Sequence, residues 1–79
     1  MSEKTLGPVA AKVKAEAIRQ GIKQADLGRA AGMTQAGVSR RLTGDVDITV
    51  TEAERFAQIL GVSVAWLFGE AEAPALQDA

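Results

Sequence analysis

The charged side chains of this sequence fall into two opposed blocks. Over positions 1–41, eight cations (Lys4, Lys12, Lys14, Arg19, Lys23, Arg29, Arg40 and Arg41) stand against Glu3, Glu16 and Asp26, a net +5. Over positions 42–79, Arg55 alone stands against Asp45, Asp47, Glu52, Glu54, Glu70, Glu72 and Asp78, a net −6. The overall charge of −1 therefore hides a basic half suited to a polyanion and an acidic half that limits non-specific adhesion. A soluble protein with merely uneven charge is the plainer reading of the same division.

Other chemistries have little to work with. Histidine and cysteine are both absent, which removes the commonest general base, the thiolate nucleophile, disulfides and the usual zinc ligands. There is no glycine-rich phosphate loop, and the serines have no plausible base nearby in the sequence, so no enzyme is expected. Asp45 and Asp47 form an Asp-x-Asp pair. An EF-hand loop needs a longer acidic series, a glycine and a distant glutamate, so no metal is expected there. Neither a cofactor nor a small-molecule ligand is expected, and Trp66, within SVAWLF, is assigned to the core rather than to a ligand platform.

The elements that carry the basic residues follow from punctuation and period. Seventy-nine residues, 47% of them hydrophobic, suit one small core, so a single all-α domain is expected. Its limits are set at 8–69, between a flexible N-terminal arm (1–7) and an acidic, disordered tail (70–79) that contains Pro74. No eighteen consecutive apolar residues occur, and MSEKTLGP lacks the apolar run of a secretory signal, so no membrane association and a cytoplasmic setting are expected. Gly7-Pro8 opens a first helix running to about Gln20, with Val9, Val13 and Ala17 as its apolar stripe and Gly21 as its stop. Helices follow at 24–31 and 35–42, the latter ended by Gly44. Thr49 and Glu52 match a capping box, which starts a fourth helix at Val50 with Val50, Ala53, Phe56, Ala57 and Leu60 on one face. Gly61 closes it, and Ser63 caps a last helix at 64–68.

In QADLGRAAGMTQAGVSRRL, residues 24–42, two short helices meet at a Gly-Met-Thr turn. Two helices so joined form a helix-turn-helix, in which the first braces the second so that its outer face projects and fits the major groove of DNA. Leu27, Ala31, Met33 and Val38 are placed to point inward, Gly28 permits close approach of the helices, and Gly32 suits the turn. An ordinary helical hairpin in a small bundle would share this spacing.

KQADLGRAAGMTQAGVSRRLTG resembles the helix-turn-helix of the lambda-repressor-like family, the Cro and phage-repressor type of regulator. AAKVKAEAIRQGIKQADL before it and FAQILGVSVAWLFGE after it extend the likeness over residues 9–69. The resemblance implies a compact five-helix bundle that binds double-stranded operator DNA as a two-fold homodimer, most simply a repressor from a phage or prokaryote. An antitoxin-type autoregulator or a restriction-system controller is the alternative within DNA binding. A protein-interaction module using the acidic half is the alternative outside it.

The family's contact positions carry over where this sequence matches. Gln24, opening the second helix, is implied as a phosphate ligand, as helix N-termini favour anions. Gln35, first in the recognition helix, can pair with the N6/N7 edge of adenine; Ala36 departs from the family and can at most touch a thymine methyl. Ser39 and Arg40 share the exposed face, and Arg40 is the expected specific reader, because a guanidinium can bind guanine O6 and N7 together. Arg41, at a position usually apolar in the family, is expected to pack its stem and reach a phosphate with its head. Lys23, Thr34 and Thr43 complete the phosphate set.

Two departures bear on fold and docking. Ala17 and Leu42 occupy the positions of an arginine–glutamate pair in many phage repressors, and as a double apolar change they are expected to pack together. The loop GDVDIT, residues 44–49, is acidic where the family often has basic residues, so Asp45 and Asp47 would repel phosphate. For the dimer, Val64, Leu67 and Phe68 share a spacing that could form the partner face. The pair is expected to be weak in solution and reinforced by half-sites about 34 Å apart.

Overall fold

The computed structural model describes residues 7–71; the expected arm up to residue 6 and the tail from residue 72 lie outside them. Five helices follow in order: α1 (Gly7–Gln20), α2 (Gln24–Ala31), α3 (Gln35–Thr43), α4 (Val50–Leu60) and α5 (Val64–Leu67). Among the described residues there is no strand, and no helix is long and apolar enough to cross a membrane. The all-α, five-helix bundle with its helix-turn-helix is therefore as expected, with α1 beginning at Gly7 and α3 reaching Thr43.

Every helix contributes to one core. Val9, Val13 and Ala17 from α1, Leu27 and Ala31 from α2, Val38 and Leu42 from α3, Phe56 and Leu60 from α4, and Leu67 from α5 are all buried together. Non-directional apolar burial of this kind favours folding by roughly 25 cal/mol per Å² removed from water. Ala17 and Leu42 are 3% and 8% exposed, so the position of the family's ion pair is filled by apolar atoms within the common core.

The start of α4 is built by the expected capping box, with Glu52 N–H donating to Thr49 Oγ1 and Thr49 N–H to Glu52 Oε1, both at 3.1 Å. One expectation there is corrected: Val50 is 58% exposed, and its place in the core is taken by Ile48 at 1%. Ile48 precedes the cap and Ala53 lies in the first turn, the two positions of a hydrophobic staple, and both are buried. Val50 is left on the outer side of that turn.

Long polar side chains tie the helices at their margins. Gln20 donates its amide to the Leu60 carbonyl at 2.7 Å and to Glu16 Oε2 at 2.8 Å, joining the end of α1 to the end of α4. Arg19 donates to the same Glu16 carboxylate. The Arg19 bond first, and then that of Gln20, hold the Glu16 carboxyl below its ordinary value of 4.5 against the opposing effect of burial. Lys12 donates to the Trp66 carbonyl at 2.6 Å and sits 5.0 Å from the centre of its ring, a cation–π contact. Trp66 packs against the core as expected, half-buried rather than fully enclosed.

Candidate functional site

The junction of α2 and α3 sets the site. α2 stops because Gly32 takes the left-handed conformation at φ 78°, which a residue with a Cβ adopts only under strain. Met33 N–H then reaches back to the Gly28 carbonyl at 2.7 Å, closing the helix end. Thr34 is extended (φ −76°, ψ 161°) and caps α3 by accepting the Gly37 N–H at 3.0 Å.

Gly28 decides how near the second helix comes. A Cβ placed there would lie 2.9 Å from the Met33 carbonyl oxygen and 3.1 Å from Val38 Cγ2. Backbone cannot yield as a flexible side-chain end can, so glycine is required by contact rather than by dihedral angle. With Leu27, Ala31 and Val38 buried and Met33 packed at the margin of the core, α2 braces α3 from beneath.

The opposite side of α3 faces outward. At 100° per residue, positions 35, 36, 39, 40 and 43 fall within an arc of about 140°. Gln35, Ala36, Arg40 and Thr43 are exposed and Ser39 is half-buried. Neither the Gln35 amide nor the Arg40 guanidinium has a hydrogen-bond partner among the described residues. Toward the described residues, both keep their bonding capacity for another molecule. Thr43 is less free, since its hydroxyl donates to the Arg40 carbonyl at 3.1 Å.

Lys23 is exposed at the N-cap of α2, where it supplies no side-chain cap, and Gln24 is half-buried at the first helical position. The first N–H groups of a helix have no internal partner, and their dipole favours an anion at that end. Asp45 and Asp47 are exposed in the following loop.

Arg41 stands apart from this face. Its Nε and Nη2 donate to the two Glu52 oxygens at 3.0 and 3.1 Å, and its Nη1 donates to the Gly37 carbonyl at 2.9 Å. Three of the five N–H groups of a guanidinium are thereby engaged inside the protein. The Arg41 bond holds the Glu52 carboxyl below its ordinary value, with a smaller effect of the Thr49 N–H in the same direction and burial acting against both. Sequence reasoning identified Glu52 only as a capping residue; an eleven-residue separation across a loop carries no periodic signal that would pair it with Arg41.

The expected partner face on α5 requires one correction. Leu67 is wholly enclosed in the core at 0% exposure and has no surface to offer a second copy. A four-residue helix makes little more than one turn, and the side that packs inward takes Leu67, its last residue. Val64 and Phe68 pack on the core but stay partly open.

Comparison with protein families matches residues 13–67 to a family described as helix-turn-helix. Comparison with curated proteins gave no match, and neither did comparison with solved structures.

Proposed function

The chain belongs to the helix-turn-helix family of DNA-binding regulators, of the lambda-repressor and Cro kind, and from that premise we propose that it is a repressor binding operator DNA as a homodimer, with α3 in the major groove. The observation that carries this reading is the outward arc of α3, where Gln35 and Arg40 have no internal partner among the described residues. In the groove, Arg40 pairs with a guanine and Gln35 with an adenine, while Ala36 and Ser39 make the smaller base contacts. Lys23, Gln24, Thr34 and Thr43 hold the flanking phosphates, which position the helix without specifying sequence. The N-terminus of α2, which has no side-chain cap, supports such contacts through its first N–H groups.

A single recognition helix reads only a few base pairs, so useful specificity calls for two copies. With Leu67 committed to the core, Val64 in α5 and Phe68 at its C-cap are left for the partner face. Selection of bound fragments from random duplex DNA, followed by salt titration on the recovered sites, tests the whole reading. Recovered fragments should carry two-fold-related half-sites about 34 Å apart, and affinity should fall steeply with salt as counterions are released. Fragments with single, unpaired half-sites would remove the homodimer. Affinity that is flat in salt would remove groove docking.

A further inference from the structure

We propose that Arg41 is a positioning residue for the DNA-reading face, forming a strut with Glu52, and is not a phosphate ligand; this rests on the DNA-binding reading above. Glu52 is central because one carboxylate serves two elements. It accepts the Thr49 N–H at 3.1 Å to close the cap of α4, and it takes both prongs of the Arg41 guanidinium at 3.0 and 3.1 Å. The side chains are 21% and 16% exposed, so the pair is sheltered from the screening that weakens surface ion pairs. It spans the loop of residues 44–49 and bolts the end of α3 to the beginning of α4.

One further observation fits a strut: Arg41 Nη1 also reaches back along α3 to the Gly37 carbonyl at 2.9 Å. The buried Val38 and Leu42 set which face of α3 turns inward. The bidentate fork adds a directional tie beside that face. It resists rotation of α3 about its own axis, the movement that would swing Gln35 and Arg40 away from the base edges. A phosphate role fits poorly, because the Glu52 carboxylate already offsets the guanidinium charge and exposed Asp45 and Asp47 lie in the loop beside it.

The test measures binding of the full chain to a duplex bearing its selected site and to an unrelated duplex of equal length, each across a range of salt. Glu52→Gln keeps a residue able to close the capping box but removes the charge; Arg41→Met keeps an apolar stem and removes the fork. Each should lower the ratio of specific to non-specific affinity about tenfold, within the range of coupling between networked residues. The salt slope of Arg41→Met should equal that of the wild type, and the double variant should lose no more than either single one. A slope lower by about one in Arg41→Met, with the affinity ratio intact, would make Arg41 a phosphate ligand and overturn the strut. Ratios unchanged in both variants would overturn it as well. Should a variant fail to fold, the wild-type Arg41 Nε–H decides by NMR: slow hydrogen exchange and an unmoved resonance on adding the selected duplex support the strut, and fast exchange or a large shift overturns it. Absence of salt-dependent binding by the wild type would instead strike the DNA-binding reading itself, a separate outcome.

Discussion

α3 and α5 both carry residues that their spacing offers to a partner, yet the fold treats them in opposite ways. α3 has nine residues and places Val38 and Leu42 inward while Gln35, Ala36, Arg40 and Thr43 remain exposed. α5 has four, and its Leu67 is fully buried. A helix long enough for two full turns can satisfy the core with one face and still present another. A single turn at the edge of a small core cannot, and its apolar residues are used first to close the domain. Apolar spacing on a short helix is therefore weaker evidence for an interface than an outward polar arc on a longer one.

The largest effect that could break this contrast lies in α5. Leu67→Ala should destabilise the domain by about 2–5 kcal/mol, the range for truncating a buried leucine, as measured by urea unfolding. A loss near zero, accompanied by loss of self-association, would return Leu67 to a partner face. Gly28→Ala addresses the support of α3: the added methyl meets the Met33 carbonyl and should cost about 1–3 kcal/mol, read in the same way. An unchanged midpoint would mean that the helix-turn-helix can open to admit a side chain. Acid should have a smaller effect. Glu16 and Glu52 both have folded values below the ordinary 4.5, so their stabilising contribution is complete above that value and is lost as pH falls through the lowered folded ones. Tm should therefore decline on acidification through the carboxylate range, and the decline should be shallower in Glu52→Gln. Identical acid profiles for the two proteins would show that the Arg41–Glu52 pair adds no stability.

Much of the fold was legible because its signals are local. The Thr49–Glu52 capping box, the glycine that ends each of α2, α3 and α4, and the apolar stripe of Val9, Val13 and Ala17 depend on residues a few positions apart, and the helix limits follow from them. Gly28 was legible as a close approach because small residues facing a helix junction have few other uses. What escaped was tertiary. Ile48 is the exception, since the hydrophobic staple it forms with Ala53 is local and legible beside the capping box. Lys12 meeting Trp66 and Arg41 meeting Glu52 join residues 54 and 11 positions apart, beyond any helical period. The outward arc of α3 was legible as a candidate site through its resemblance to a family and its polar composition. The division of labour between adjacent Arg40 and Arg41 was not, since it is set by a 100° step around the helix and by a carboxylate on another element.

The central claim, that the outward arc of α3 reads DNA sequence through Arg40, is tested most directly by Arg40→Ala. Its affinity should be compared with that of the wild type on the selected site and on a panel of single base-pair substitutions at fixed salt. The variant should lose about 1–3 kcal/mol on the selected site and relax its preference at one base pair in each half-site, with Tm unchanged because the side chain has no partner among the described residues. Equal losses on every sequence would place Arg40 on the phosphate backbone and contradict direct reading by this face.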